Sequence, residues 1–335
     1  MRVSRGIPIQ AEAPVALTIG NFDGVHLGHQ AMLARLKEAA NHLSLTACVM
    51  IFEPHPREFF APDKAPTRLT SLREKLELLA AAGVERVQVY RFNFDFARIS
   101  AEDFIVRILE RGLAVRWMLV GDDFRFGARR AGDFAMLKAF SAKCDFRVEE
   151  MPGYTVNGLR VSSTAVRDAL SSGDLALVKR LLGRSYSISG RVVSGDKLGK
   201  KLGFPTANIQ LKHNRPPLSG IFAVEVQVEA RDAGELPLLK AMRGVASLGV
   251  RPTVHEHGKP VLEVYLFDFD QEIYGRHLRI HFLHKLRNEE KYPDLITLTK
   301  QIGRDVEDAK NYFTSFSFSS TSSASIEKNF LHKSN

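Results

Sequence analysis

Two histidines at a strand-to-helix junction are the first residues whose types and spacing suggest chemistry. The stretch Gly20-Asn21-Phe22-Asp23-Gly24-Val25-His26-Leu27-Gly28-His29 follows an apolar run, and after it apolar residues recur every three or four positions. This pattern predicts a buried strand, a glycine-rich turn and a helix. A helix N-terminus at that place attracts phosphate, and two imidazoles beside Gly28 add hydrogen-bond donors. We therefore expect a phosphate-handling site at this turn.

Three later segments also carry polar residues directly after a predicted strand or at a predicted helix start. They are Glu53-Pro54-His55-Pro56-Arg57, Gly121-Asp122-Asp123-Phe124-Arg125-Phe126-Gly127 and Ser162-Ser163-Thr164-Ala165-Val166-Arg167. Proline on both sides of His55 predicts a stiff loop. Because strands and helical segments alternate, the first half predicts an α/β fold with a doubly wound, Rossmann-like parallel sheet. Ligands bind such sheets at the carboxyl ends of the strands, where these segments should meet.

A second set of candidate residues lies in a glycine- and lysine-rich stretch. Gly195, Lys197, Gly199, Lys201 and Gly203 precede Pro205-Thr206-Ala207-Asn208. Such a cationic loop suits phosphate oxygens, although it is not a Walker A sequence, because an aspartate stands where the lysine must be. Thr206 and Asn208, two residues apart on an extended segment, face the same side, and their oxygens suit Mg²⁺ together with substrate phosphates.

The pattern of apolar residues divides the chain into two domains and a tail. From Tyr186 the periodicity becomes strand-like, and successive short strands predict an antiparallel β-barrel followed by a C-terminal helix from Leu295 to Phe313. The predicted domains are residues 1–184 and 185–313. The Ser-rich segment 314–335 has few apolar residues and no periodicity, so we expect it to be disordered.

Composition limits the classes of protein and partner. The 335 residues carry a formal net charge of +9, and their basic residues are scattered, which favours small anionic substrates over a nucleic acid. No apolar run reaches the roughly 20 residues of a membrane helix, and no secretory signal is recognised. Cys48 and Cys144 have no metal-binding spacing. We expect a cytoplasmic protein with no membrane partner; its oligomeric state stays open.

The motifs of the first half resemble those of a known family. The Gly20–His29 string, the Phe-x-Pro-His-Pro string and the Gly-Asp-Asp-Phe-Arg-Phe-Gly string resemble the adenylyltransferase half of bacterial bifunctional riboflavin kinase/FAD synthetase, as does Ser-Ser-Thr-x-x-Arg. That half belongs to the nucleotidyltransferase superfamily with its His-x-Gly-His signature. The stretch from Gly195 to Asn208 is similar to the riboflavin kinase signature. The resemblance implies two reactions: riboflavin and ATP give FMN, and FMN and ATP give FAD and pyrophosphate.

The resemblance also implies roles for individual residues. His26 and His29 handle the ATP phosphates, and Ser163, Thr164 and Arg167 assist them. Glu263 is the implied general base on the ribityl 5′-hydroxyl, and Mg²⁺ is held by Thr206 and Asn208. The remaining expected binding residues for ATP, riboflavin and FMN are Gly20, Asn21, Asp23, Gly28, His55, Pro56, Arg57, Asp122, Asp123, Phe124, Phe126, Ser162, Gly195, Lys197, Gly199, Lys201, Gly203, Pro205, Arg287 and Glu289.

This chain departs from the family pattern at two places. Some members carry Asn or Glu where this chain has Asp122 and Asp123, which leaves the roles of those two residues open. Tyr265 stands where relatives often have His, but the neighbouring Glu263 is intact.

Two other functions are compatible with parts of the sequence. An adenylyltransferase for a different phosphorylated substrate would need only the first domain, but the Pro-Thr-x-Asn string and Glu263 argue against it. An RNA-binding protein without catalysis would use a synthetase-like domain and a basic barrel, but His26 and His29 speak for catalysis. A strongly salt-dependent RNA affinity without ATP turnover would favour the latter.

The Ser-rich tail yields a first prediction. Because no family motif covers residues 314–335, deleting them should leave both activities unchanged, measured as FMN and FAD formed from riboflavin and ATP by the full-length and shortened chains. Loss of either activity in the shortened chain would show that the tail takes part.

Overall fold

We describe a computed structural model of the chain. It covers residues 1–6, 8–195, 198–212, 215–229, 241–250 and 260–327, with the backbone alone at 198, 250 and 316–327. The chain divides into two compact units, one formed by residues 1–167 and 180–183, the other by 168–179 and the chain from 184 onward. Residues 168–179 thus group with the second unit, although the sequence predicted them in the first domain.

The first unit contains a six-stranded sheet in which every pairing is parallel. Its strands are β1 (Arg2–Arg5), β2 (Val15–Ile19), β3 (Thr46–Glu53), β4 (Arg86–Arg91), β5 (Val115–Gly121) and β6 (Arg147–Met151). Their order, β1-β4-β3-β2-β5-β6, confirms the predicted doubly wound sheet. β1 was not predicted, because a short edge strand that begins and ends with arginine lacks the apolar run of a buried strand.

Helices connect the strands from β2 to β6, and two more helices follow β6. They are α1 (Leu27–Leu43), α2 (Pro56–Phe60), α3 (Leu72–Ala81), α4 (Phe94–Ala97), α5 (Ala101–Asp103) with a π-helical continuation over Phe104–Gly112, α6 (Phe134–Ser141), α7 (Ser163–Ser172) and α8 (Leu175–Leu182). α2 corrects the prediction of a stiff loop around His55. Pro56 is the first residue of this helix, a position where its fixed φ and missing N–H do no harm.

The sheet separates two apolar clusters, because alternate side chains of a strand point to opposite faces. Leu17, on β2, belongs to one cluster with Met50 and Met118; its neighbour Ala16 belongs to the other with Val49. All five residues of β2 are buried. Each large apolar side chain removed from water contributes roughly 1.5–3 kcal/mol, so the central strand and the turn that follows it are firmly fixed.

The second unit is a closed six-stranded barrel, which confirms the predicted antiparallel architecture. Its strands are β9 (Tyr186–Val193), β10 (Thr206–Gln210), β11 (Gly220–Val228), β12 (Met242–Val250), β13 (Pro260–Leu266) and β14 (His277–Arg287), in the order β10-β13-β12-β11-β14-β9. A short hairpin, β7 (Thr155–Val156) and β8 (Leu159–Arg160), precedes α7, and α9 (Leu198–Lys201) precedes β10. No helix in the described ranges is long and apolar enough to cross a bilayer.

The last helix, α10 (Leu295–Glu327), packs on the barrel through Val306, Ala309 and Phe313. The sequence predicted that it ends at Phe313 and that disorder follows. In the structure the helix instead continues to Glu327, since Ser and Thr each cost a helix only a few tenths of a kcal/mol once it is nucleated. Residues 328–335 of the predicted disordered tail lie outside the described residues.

One ion pair fastens this helix to the barrel. Arg287, at the end of β14, donates from Nε and Nη2 to the two carboxylate oxygens of Asp305 at 2.7 Å each. Asp305 is only 3% exposed and also accepts from Gln301. This two-pronged geometry is the strong form of an arginine–carboxylate pair, and the contact holds α10 in register on β14.

Removing the Asp305 carboxylate should destabilise the second unit. In Asp305→Ala, Arg287 loses its buried partner, which costs about 3 kcal/mol of unfolding free energy in urea. Asp308→Ala is the matched control, because Asp308 is exposed on the same helix, and it should change the unfolding free energy by less than about 0.5 kcal/mol. Equal unfolding free energies for the two variants would show that the ion pair does not hold the helix.

Candidate active sites

The turn after β2 adopts an unusual backbone conformation. Phe22, Gly24 and Val25 have φ angles of 45°, 80° and 40°, in the left-handed region. A Cβ on Gly24 would also lie 2.7 Å from Leu69 Cδ1, so glycine is required there on two counts. The tight turn places the next residues directly at the start of α1.

His26 and His29 lie face to face at that helix start. His26 caps α1, because its Nδ1 accepts the backbone N–H of His29 at 3.2 Å. The two rings stack with their centroids 3.7 Å apart and their planes 15° apart. Since Nδ1 of His26 accepts a hydrogen bond, the proton of the neutral imidazole lies on Nε2, which is then a donor.

His29 is held in its neutral form. Burial lowers its pKa well below 6.5, and the nearby His26 and Lys75 lower it further. Its Nδ1 is inaccessible to water and has no hydrogen-bond partner within the described residues. A buried polar nitrogen without a partner is unusual in a folded protein.

Gly28 has a packing role in addition to the predicted one, which stays a prediction. The sequence suggested that it lets the backbone approach a ligand, whereas a Cβ there would lie 3.2 Å from Cε1 and Nδ1 of His26. The missing side chain therefore makes room for the His26 ring.

The carboxylate of Asp23 accepts hydrogen bonds from two other segments of the chain. It accepts the backbone N–H of Leu69 at 3.0 and 3.1 Å, and the N–H and hydroxyl of Thr70 at 3.0 and 3.1 Å. Arg167 donates from Nη2 to Asp23 at 2.6 Å and from Nε to the Thr67 carbonyl at 2.6 Å. The first turn of α7 and the segment before α3 are thus both fixed to the histidine turn.

The three hydroxyl side chains of the Ser-Ser-Thr stretch have different environments. Ser162 caps α7 by accepting the N–H of Ala165 at 3.2 Å, and Ser163 donates its hydroxyl to the Asp23 carbonyl at 2.9 Å. Thr164 is exposed. Two hydroxyls of this stretch therefore build the turn, while the third points to solvent.

A cavity lies beside this turn. It is small, with room for little more than one water-sized sphere, is partly open to solvent, and is lined by Asp23, Phe52, Glu53, His55, Glu58, Pro66, Arg68, Lys75 and Arg167. His55 caps α2 by accepting the Arg57 N–H at 3.0 Å, and burial lowers its pKa. Arg68 donates to both Glu53 and Glu58. The cavity is therefore lined by many charges, most of them paired.

The other predicted residues of the first unit are more dispersed. Asp122 is exposed and pairs with Arg160 at 3.1 Å, and Asp123 is exposed as well. Phe126 is buried against Phe104 and Phe124, with ring centroids 5.3 and 5.6 Å away. The structure thus gives Phe126 a packing position in the core.

Three further predicted residues lie close to the turn or to α2. Asn21 has a buried Oδ1 without a partner in the described part of the chain. Gly20 leaves room for the Phe22 ring, 3.1 Å from where its Cβ would be. Arg57 is exposed, and Pro56 opens α2.

The barrel brings Thr206, Asn208 and Glu263 together. In the antiparallel pairing of β10 with β13, Asn208 is directly opposite Glu263 and Thr206 is opposite Tyr265. Opposite residues project to the same face, and Leu262 and Val264 on the other face of β13 are buried. Ser247 on β12 is the opposite neighbour of Glu263 on its other side. Hydroxyl, carboxamide and carboxylate oxygens therefore share one surface of the barrel.

The glycine-rich stretch lies against these oxygens. A Cβ on Gly195 would lie 2.6 Å from Asn208 Oδ1, and one on Gly199 would lie 3.1 Å from Thr206 Oγ1. Lys201, Gly203 and Pro205 are exposed beside them. The predicted ligand Lys197 lies outside the described residues.

Arg287 and Glu289 occupy different environments. Arg287 is committed to Asp305, so its role in the described structure is to hold α10. Glu289 has its carboxylate against Gly249 of β12, where a Cβ would overlap it. Of these two predicted binding residues, only Glu289 is exposed.

Sequence reasoning missed several residues of both sites. Lys75, Arg68, Glu53 and Glu58 line the first cavity, and Ser247 adjoins Glu263. Only Glu53 lies in a segment that the sequence marks; the others belong to no motif, and a charged or polar residue outside a motif is ordinarily expected to face solvent.

The neutral state of His29 predicts how stability depends on pH. The unfolded chain binds a proton near pH 6.5, while folding lowers the His29 pKa, so stability is full above pH 6.5 and falls below it. Relative to His29→Gln, the wild type should lose up to about 1.4 kcal/mol per pH unit, measured by urea unfolding. His42→Gln, at an exposed position of α1, is the control. Parallel pH profiles for wild type and His29→Gln would contradict the prediction.

Each of the two units matches a known protein family. The family model described as FAD synthetase matches residues 9–165, and that described as riboflavin kinase matches residues 182–313. A "Bifunctional riboflavin kinase/FMN adenylyltransferase" of Haemophilus influenzae is 46% identical over 300 residues, covering 90% of this chain and 94% of the relative. The protein of the same name from Escherichia coli K12 is 46% identical over 316 residues, covering 93% and 98%.

A solved structure has the same architecture. It is described as a macrolide-efflux protein from Streptococcus pneumoniae, is 26% identical, and superposes with a TM-score of 0.78 over 93% of this chain and 99% of its own. Because both family models match in order and the relatives match over nearly their full length, the chain belongs to the family of bifunctional riboflavin kinase/FMN adenylyltransferases.

Proposed function

We propose that this chain phosphorylates riboflavin with ATP to give FMN, and adenylylates FMN with a second ATP to give FAD and pyrophosphate. The observation that carries the proposal is that each unit matches one of the two family models and has its own group of polar residues. The kinase reaction is assigned to the barrel and the adenylyltransferase reaction to the parallel sheet. ATP, riboflavin and FMN are its proposed partners, without a nucleic acid.

In the first unit the FMN phosphate oxygen attacks the α-phosphorus of ATP, and the bond to the departing pyrophosphate breaks. Nε2 of His26 donates a hydrogen bond to the phosphate oxygens as negative charge grows on them. His29, neutral and stacked on His26, completes the donor pair. Arg167 has its guanidinium oriented by Asp23, and it is assigned to the triphosphate with Ser163 and Thr164. The positions of His26, His29 and Arg167 at the histidine turn support their roles, while the roles of Ser163 and Thr164 rest on the resemblance to the family.

In the second unit Glu263 is assigned as the general base that takes the proton from the ribityl 5′-hydroxyl of riboflavin. Its position opposite Asn208 supports this role. Oxygens of Thr206, Asn208 and substrate phosphates match the ligand preference of Mg²⁺, which supplies positive charge against the transferred phosphoryl group when bound. Gly195 and Gly199 let the loop backbone approach these residues, which supports its assignment to the ATP phosphates.

Two substitutions separate the proposed sites. His29→Ala should abolish FAD formation from riboflavin, ATP and Mg²⁺ while FMN accumulates. Glu263→Ala should block FMN formation, while supplied FMN is still converted to FAD. Chromatography of the products measures both reactions in one sample. His42→Ala and Glu272→Ala, at exposed positions, are the matched controls and should keep both activities.

The activity that each variant retains shows that the chain is folded. If either substitution eliminates both reactions in a protein with a wild-type melting temperature, the assignment of one reaction to each unit is wrong. If the wild-type chain forms neither FMN nor FAD, the proposed function itself fails.

A further inference from the structure

A buried lysine in the first unit has no role in the chemistry assigned so far. Lys75, on α3, is 6% exposed and lines the cavity beside the histidine turn. No motif includes it. An ammonium group is rarely buried to this extent without a partner, because removing it from water is costly.

The other cations of the cavity have their hydrogen-bond partners in the protein. Arg167 donates to Asp23 and to the Thr67 carbonyl, and Arg68 donates to Glu53 and Glu58. The Lys75 ammonium, in contrast, makes no hydrogen bond to any residue that the structure describes. Lys75 therefore keeps all its N–H donors for a ligand, whereas Arg167 keeps only those not given to Asp23 and Thr67.

The position of Lys75 is fixed by the protein. Ser71 caps α3 with Glu74 in a reciprocal pair of hydrogen bonds at 3.3 and 2.7 Å. The segment just before the cap is bound to Asp23 through Leu69 and Thr70. Lys75 follows one turn later, so its backbone is held relative to the histidine turn. A group positioned in this way meets a ligand with little loss of conformational freedom.

Electrostatics explains why the ammonium is tolerated without a direct partner. Burial lowers the pKa of Lys75, while Asp23 and Glu53 raise it, so neighbouring carboxylates offset part of the desolvation cost. Lys75 in turn helps to keep His29 neutral. Lys75 therefore lies close enough to the histidine turn to act on His29 electrostatically, although His26 and His29 are not among the lining residues of the cavity.

We propose that the Lys75 ammonium binds a phosphate group of the adenylyltransferase substrates, donating hydrogen bonds to its oxygens inside the cavity lined by Asp23, His55, Arg68 and Arg167. The ligand class is a phosphate ester or anhydride, supplied by FMN or by the ATP triphosphate. The inference rests on the proposed function of the first unit and adds a binding residue to it.

The test compares Lys75→Met with Lys64→Met. Lys64 is exposed in the same unit, so its replacement removes the same charge away from the cavity. Lys75→Met should raise a substrate KM in FAD formation about tenfold or more, the loss expected for one charge-assisted hydrogen bond. KM is measured separately for ATP and for FMN, and pyrophosphate binding is measured by calorimetry. The riboflavin kinase activity should stay at the wild-type level in both variants.

The pattern of KM values identifies the phosphate. A rise for ATP with weaker pyrophosphate binding assigns Lys75 to the triphosphate, and a rise for FMN alone assigns it to the FMN phosphate. A rise for both places it between the reacting phosphates. Unchanged KM values, with or without a lower kcat, would overturn the proposal. If wild type forms no FAD, the proposed function fails before Lys75 is tested.

A measurement on the unaltered chain covers the case in which Lys75→Met does not fold. Acetic anhydride acetylates lysines, and peptide mass spectrometry reports the modified fraction at Lys75 and at Lys64. Saturating pyrophosphate or FMN should reduce acetylation of Lys75 several-fold and leave Lys64 unchanged. Equal acetylation of Lys75 with and without both ligands would overturn the proposal.

Discussion

The buried carboxylate of Asp23 joins three segments of the first unit. Asp23 is 6% exposed, and an unpaired charge at such a position would cost several kcal/mol. Its oxygens are satisfied by backbone and hydroxyl donors of Leu69 and Thr70 and by Arg167. Meeting this requirement fixes three segments that are far apart in the sequence. The histidine turn, the start of α3 and the first turn of α7 become one wall of the cavity.

In the second unit the backbone pairing of the strands brings the polar residues of the site together. Strand register, set by the closed barrel, puts Asn208 opposite Glu263 and leaves Ser247 on the other side of that glutamate. A register shift of one residue would turn Glu263 into the barrel interior, where its charge would be buried. The apolar residues Leu262 and Val264 prevent this shift, so the core of the barrel also positions its polar surface.

Membership in a motif does not by itself mean contact with a ligand. Gly28 makes room for a histidine ring, Phe126 packs in the core and Arg287 holds a helix through Asp305. In the described structure these residues support their neighbours, so replacing them would alter a site even where they touch no ligand. Lys75 is the opposite case, since it lies in the cavity and belongs to no motif. In the sequence Lys75 resembles an ordinary surface lysine of a helix, but in the structure its side chain is buried.

The sequence by itself determined the parallel sheet, the barrel, and the polar residues at strand ends, because periodicity and turn residues are local signals. It also placed His26, Thr206, Asn208 and Glu263 in candidate sites. The neutral state of His29, the opposition of Asn208 and Glu263, and the burial of Lys75 and Asp305 were decided only by the tertiary structure. Burial and pairing depend on contacts between segments distant in the chain, and one sequence without its fold contains no measure of them.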